Sequence, residues 1–279
     1  MSSVNLSSRL AVCSWSVQPT SPEELAEKLN AIGVPRAQLA FDPIREGGAW
    51  ADGVSKLTDL GITVTSGMFA AVGEDYSTLD SIRRTGGIVP DKTWPETWAN
   101  FRQMVPMATH AGLTHVMFHA GFLPHDRHDP DYPKLADRLT QVASLFADHG
   151  LTCCLETGQE EAPALLAFLQ ELNKPNVGVN FDPANLILYD KGDPIAGLKT
   201  LRPHVRQCHV KDAIKTQVPG TWGEEVVVGT GQVDWPAFFA VLGPGFTGTL
   251  ALEREAGDAR VADLRTAATF VRGLLENRP

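Results

Sequence analysis

Long hydrophobic runs are missing from this chain. No stretch approaches the roughly 20 apolar residues that a membrane-spanning helix needs, so a membrane protein is not expected. The opening MSSVNLSSRLAVCSW contains neither a basic start nor a long apolar run, and no secretory leader is expected from it. Cysteine is sparse. Cys13, Cys153, Cys154 and Cys208 fall in strand-like segments without CxxC spacing. That pattern points to reduced, buried thiols in a cytoplasmic protein rather than to disulfides or a zinc knuckle. Basic charge is also short: 24 Lys and Arg stand against 33 Asp and Glu, a formal net charge of -9. General affinity for nucleic acid or anionic membrane is disfavoured.

What is present is an ordinary globular composition, 43% hydrophobic and 20% charged over 279 residues. That length accommodates two small domains or one large α/β barrel. Short apolar runs alternate with helix-like stretches throughout. The strand candidates are LAVCSW from Leu10, QLAFDP from Gln38, ITVTSGM from Ile62, HVMFHAG from His115, LTCCLETG from Leu151, VGVNFDPAN from Val177, VRQCHVKD from Val205 and GTLALERE from Gly248. Between them, SPEELAEKL from Ser21 reads as a capping box with proline at the first helical position. Leu135, Leu139, Val142 and Phe146 recur at helical spacing, with Gly150 as the stop. Eight strand–helix units with no linker predict a single (β/α)8 TIM barrel over residues 1–279. The alternative, a doubly wound open sheet, usually carries a glycine-rich phosphate loop after an early strand. None follows LAVCSW or QLAFDP, and the late GTGQVDW at Gly229 reads as a turn before a helix.

In such a barrel the C-terminal strand ends carry the chemistry. In VGVNFDPANL the side chains alternate until Asp182, where Pro183 ends the strand. A carboxylate there either caps the following loop or belongs to a site. The last four strands end on or near Glu156, Asp182, His209 and Glu253. The first two intervals match one strand–helix unit each, and the loop AIKTQVPGTWGEEVVVGTGQ lengthens the third. Glu156 shares its face with Thr152 and Cys154, and Glu253 with Thr249 and Ala251, which directs both toward the barrel axis; the pattern around His209 is mixed. Three converging carboxylates raise one another's pKa unless a cation joins them. Two Glu, one Asp and one His suit Mn²⁺, Mg²⁺, Co²⁺ or Fe²⁺ rather than a thiolate zinc site. The competing reading makes each residue an independent strand-end cap or surface charge.

CLETG, NFDPANL, CHVKDA and LERE, in this order and at these strand ends, resemble the xylose isomerase-like TIM barrels, a group of sugar isomerases, epimerases and inosose dehydratases related to the endonuclease IV fold. The resemblance implies metal ligands at Glu156, Asp182, His209 and Glu253, with Glu156 and Glu253 also acting as acid and base. It implies a divalent-metal-dependent epimerase or isomerase of a keto-sugar or related polyol, the alternative being a dehydratase or lyase acting on an inosose or 3-keto-glycoside. The partner is then a small-molecule carbohydrate. A nuclease of the related fold needs more histidines and a basic groove, and a non-catalytic binding protein is the remaining contrast. Epimerases of the group often carry a histidine three residues after the aspartate, where this chain has Asn185, whose amide is a candidate hydrogen-bond donor to a substrate hydroxyl.

Three further residues have two readings each. His119 is a substrate contact or a rim histidine; Lys211 binds a hydroxyl or carboxylate or is a solvated strand-end lysine; Trp15 is an apolar wall for a sugar ring or packs the barrel mouth. The DRHD segment at Asp126 reads as a solvated loop, and Glu160 and Glu161 as the acidic start of a helix. A homo-oligomer is compatible with the sequence, which carries no clear signal for one.

Overall fold

The computed structural model describes residues 6–124 and 126–276. Strands β1 (Leu10–Cys13), β2 (Arg36–Ala40), β3 (Thr63–Met68), β4 (His115–Phe118), β5 (Thr152–Glu156), β6 (Val177–Phe181) and β7 (Val205–Val210) follow one another around a parallel sheet. After β7 the chain forms a two-stranded antiparallel hairpin, β8 (Asp212–Ile214) and β9 (Glu224–Val226). β10 (Leu250–Leu252) then pairs with both β7 and β1 and closes the barrel. All eight strand segments read from the sequence are barrel strands, and the architecture is the expected (β/α)8 TIM barrel. The hairpin accounts for the long last interval.

The helices between strands start by a repeated device. Ser21, Asp182, Asp193 and Asp234 each accept a hydrogen bond from the backbone N–H three residues on, and proline occupies one of the first two helical positions. Such residues satisfy an otherwise orphaned donor, and proline costs nothing where no donor is needed. The capping box expected at Ser21 is half formed. Ser21 Oγ accepts from Glu24 N at 3.3 Å, but the Glu24 carboxylate reaches one residue further back, to Thr20 N and Oγ1 at 2.7 Å.

Alternation along the strands sorts the interior. Cys153, Leu155, Val179, Phe181, Leu250 and Leu252 join the apolar layer shared with the helices. Their neighbours Cys154, Glu156, Asn180, Gln207, His209 and Ala251 are just as buried but lie outside that layer, on the barrel side. Registers of Glu156 with Asn180, Asn180 with Gln207, and His209 with Ala251 stack these positions across neighbouring strands. The four cysteines are free and buried. Among the described residues, no helix is long and apolar enough to cross a membrane.

Candidate active site

Glu156 is the last residue of β5, Asp182 follows β6, His209 is the penultimate residue of β7, and Glu253 follows β10. All four are at most 6% exposed. One ligand atom from each lies within 4.8 Å of the others. His209 Nδ1 is 2.8 Å from Glu156 Oε1, 2.9 Å from Glu253 Oε2 and 3.6 Å from Asp182 Oδ2. Despite these distances, His209 Nδ1 and Asp182 Oδ2 have no hydrogen-bond partner, and Glu253 Oε2 has none beyond the charge of the Lys211 ammonium 3.3 Å away. Buried polar atoms are nearly always paired, so atoms converging unpaired on one point call for a shared ion.

Each carboxylate gives one oxygen to the convergence and anchors the other. Glu253 Oε1 accepts from Trp15 Nε1 at 2.7 Å, Glu156 Oε2 faces His119 Nε2 at 3.0 Å, and Asp182 Oδ1 accepts from Asn185 N at 3.0 Å. Asp182 therefore answers both readings of its strand end: one oxygen caps the helix Pro183–Leu188, and the other joins the cluster. His209 is anchored as well, since its Nε2 lies 3.0 Å from Gln38 Oε1. An amide oxygen only accepts, and it already receives Cys13 Sγ at 3.6 Å. Nε2 thus carries a proton in either charge state of His209, so that loss of the second proton leaves the Nδ1 lone pair turned to the carboxylates. Ala251, opposite His209 in register, leaves room for the ring.

Charge balance follows from this crowding. Burial opposes the positive form of His209, but Glu253 and Glu156 outweigh it and hold the imidazole well above its ordinary range. Burial likewise acts against the charged form of Glu156, and the neighbouring His209 and His119 overcome it, keeping that carboxyl low. His119 is raised to about 9 because Glu156, Glu74 and Glu253 outweigh its burial. His209 offers Nδ1 to a cation only after giving up its second proton, and three carboxylates plus one imidazole match the donor set of a hard or borderline divalent ion. The residues present fit such an ion.

The other sequence candidates line the same cavity, of about 600 Å³: Trp15, His119, Asn185 and Lys211. Trp15 is both wall and hydrogen-bond donor, its ring 5.9 Å from that of His209. Asn185 Nδ2 lies 3.2 Å from both Glu156 Oε1 and Thr157 O, so its amide braces Glu156. Lys211 is not a solvated lysine. It is 4% exposed, with Nζ 2.8 Å from Glu255 Oε2, 3.3 Å from Glu253 Oε2 and 4.0 Å from Glu225 Oε2. Burial disfavours its charge, and these carboxylates more than restore it. The DRHD loop stays exposed, with Arg127 paired to Glu171. Glu160 departs from its expected place at a helix start. It is 6% exposed, the helix begins at Ala162, and burial pushes its carboxyl up to about 8.

Sequence reading missed the cavity residues carried by loops. Glu74, after β3, accepts from Gly87 N at 2.9 Å, and burial raises its carboxyl. Tyr76 sits edge-on to His119, with ring centroids 6.0 Å apart. Tyr189, Trp222 and Glu255 line the cavity too, as does Glu225 from the short strand β9. The loop residues belong to no periodic segment and β9 is only three residues long, so no pattern in the chain announces them. On the Glu74 side two loops meet backbone to backbone: a Cβ on Gly87 would lie 2.1 Å from Gly121 N, and both glycines have positive φ. Asp212, opening the hairpin, was missed too. Its fully buried carboxylate accepts from the backbone N–H groups of Ala213, Gly229, Gly231 and Val233 and from Trp235 Nε1 at 2.9–3.2 Å.

Comparison with known proteins agrees with this fold. A crystal structure of a xylose isomerase domain protein from Planctomyces limnophilus superimposes with a TM-score of 0.83 at 33% identity, covering 95% of this chain and 96% of that one. The Escherichia coli 3-keto-D-glucoside 4-epimerase YcjR gives 0.71 at 13% identity, covering 95% and 99%, a likeness of fold alone. A stretch of 164 residues is 29% identical to the uncharacterized protein YihM of E. coli K12; it covers 58% of this chain and 49% of that protein, so the match spans about half the length of this curated relative. The family description "xylose isomerase-like TIM barrel" matches residues 29–274. With nearly the whole barrel inside that match, the chain belongs to the xylose isomerase-like TIM barrel family.

Proposed function

We propose that this protein is a divalent-cation-dependent epimerase or isomerase of a keto-sugar or related polyol, working by proton transfer beside a carbonyl. The observation that carries the reading is the split use of the carboxylates: one oxygen of each toward a common point, the other held by a named donor. Glu156, Asp182, His209 and Glu253 would hold the cation, which supplies polarisation of a substrate carbonyl and so acidifies the adjacent C–H. Glu156 and Glu253 then act as the acid and base. Their remaining oxygens, Glu156 Oε2 and Glu253 Oε1, are the atoms free of the cluster, and a proton removed by one is replaced through the other. Trp15 and His119 orient those oxygens, and Asn185 braces Glu156 from behind.

A dehydratase is the second reading, favoured by His119. It lines the cavity with Nε2 3.0 Å from Glu156 Oε2, where an imidazole can pass a proton to a departing hydroxyl.

The test incubates the protein, loaded in turn with Mn²⁺, Mg²⁺, Co²⁺ and Fe²⁺, with ketoses, inososes and 3-keto-glycosides in D₂O. Epimerisation incorporates deuterium next to the carbonyl without loss of water, and dehydration removes one water. Glu156→Gln and Glu253→Gln are each expected to lower the rate by about 10²–10⁴. Absence of substrate-dependent proton exchange with every keto compound and every metal would refute the reading.

A further inference from the structure

The cavity above the cluster has a chemical character of its own. Its carboxylates are Glu74, Glu156, Glu225, Glu253 and Glu255, and no arginine lines it among the described residues. Among the described lining residues, Lys211 carries the one ammonium, bonded to Glu255 Oε2 at 2.8 Å with Glu253 and Glu225 beside it, and the Nε2 of His119 is engaged by Glu156 Oε2 at 3.0 Å. Arg254, just behind, turns away to Glu225 Oε1 and Asp263 Oδ2 at 3.0 Å each. Phosphate recognition needs uncommitted Arg or Lys, or backbone N–H groups at a helix start. The helix start facing this region is capped by Asp182. A phosphoryl group placed here meets like charge at short range and finds no free donor cluster.

The same cavity has a second aromatic wall besides Trp15. Tyr189 and Trp222 pack edge to face, with centroids 4.7 Å apart. The wall is fixed by its neighbours: Gly223 N donates to Leu188 O at 3.2 Å, and a Cβ on Gly223 would lie 2.7 Å from Ile214 O and 3.2 Å from Leu188 Cα. Rigid aromatic surface of this kind binds flat apolar groups at little entropic cost. The volume, about 600 Å³, lies within the roughly 300–1,000 Å³ of pockets that take drug-sized ligands, and one hexose ring does not fill it.

We propose that the substrate is an uncharged, unphosphorylated sugar bearing an apolar, ring-containing substituent that stacks on Trp222 and Tyr189, while its keto-sugar end meets the cluster. This rests on the reading of the cluster as the reacting end, and it adds what the remainder of the substrate must be.

The test uses non-reacting probes, so that binding and reaction are read separately. The full chain with Mg²⁺ is titrated by calorimetry with glucose, glucose 6-phosphate, and the methyl and phenyl glucopyranosides of both anomers. One phenyl anomer is expected to bind at least about threefold more tightly than its methyl counterpart, the worth of one aromatic contact. Glucose 6-phosphate is expected to bind at least tenfold more weakly than glucose. Trp222→Ala brings the phenyl-to-methyl ratio close to one, and Trp222→Phe retains most of it. Glucose 6-phosphate binding as well as glucose, phenyl glucosides binding no better than methyl, or no saturable binding of any phenyl glucoside each overturns the proposal. Retained phenyl preference without proton exchange on any keto compound overturns the reaction reading and leaves this one standing.

Discussion

Replacing Gln38 with methionine tests the arrangement of the cluster without touching a ligand. Methionine is similar in length, so the packing persists, but the oxygen that accepts from His209 Nε2 at 3.0 Å is gone. Both residues are fully buried, and no water replaces the acceptor at no cost. The ring then keeps Nε2–H unpaired, at about 1–3 kcal/mol, or moves the proton to Nδ1, where it occupies the cation's place. The first cost is common to free and cation-bound protein and lowers stability. The second must be undone on binding and, at 1.4 kcal/mol per factor of ten, weakens divalent-cation binding by roughly 10- to 100-fold, the usual effect of losing such a support. Chelator-stripped protein titrated with Mn²⁺ by calorimetry reads the change directly, with circular dichroism to verify the fold. Gln38→Glu keeps an acceptor in place and is expected to hold affinity much closer to wild type. If folded Gln38→Met protein binds Mn²⁺ within about twofold of wild type, the tautomer argument fails.

Asp212→Ala strands four backbone N–H groups and the Trp235 indole, so urea unfolding should show a loss of about 3–5 kcal/mol; a loss below about 1 kcal/mol would contradict that count. Glu160, raised by burial from 4.5 to about 8, holds a proton in the folded chain that the unfolded chain has released. The stability it contributes is complete below about pH 4.5 and is lost as pH rises through about 8. Glu160→Gln should flatten the stability–pH curve over that window and exceed wild type by roughly 2 kcal/mol or more at its upper end; superimposable curves would refute this. Burial pushes the Cys13 and Cys153 thiols up to about 12, and Cys154 and Cys208 are raised further. None should react with a thiol-disulfide reagent at neutral pH until the chain is unfolded in guanidinium, when all four should.

The barrel was legible because its strands are short, apolar and bounded by turns, and parallel strands buried on both faces write themselves as such runs. Glu156, Asp182, His209 and Glu253 were legible for a related reason: each stands where an apolar run stops, and strand ends of a barrel converge. The odd pattern around His209 has a physical origin. Gln207 is also inside the barrel and 1% exposed, and its amide and that of Asn180 have no protein partner, the usual condition of groups that hold internal water. Loop residues were not legible. Glu74 and Trp222 reach the cavity through backbone turns of no fixed period, and Lys211 reads as solvent-facing until Glu255 and Glu225 are brought over it. Glu160 misled for the opposite reason: acids gather at helix starts, yet this one is turned inward.

The contact between Gly87 and Gly121 fixes one flank of the cavity, through Glu74. On that flank neither position admits even a methyl group, so the two loops are welded at main-chain level and cannot be lengthened or reseated without losing the seat of Glu74. Another part of the lining comes from the hairpin, whose Val218 is 60% exposed and whose tip is bound chiefly to itself. Natural drift and deliberate redesign of what enters this barrel should therefore accumulate on the hairpin, by insertion and exchange, while the glycine flank stays the fixed post against which new occupants are measured.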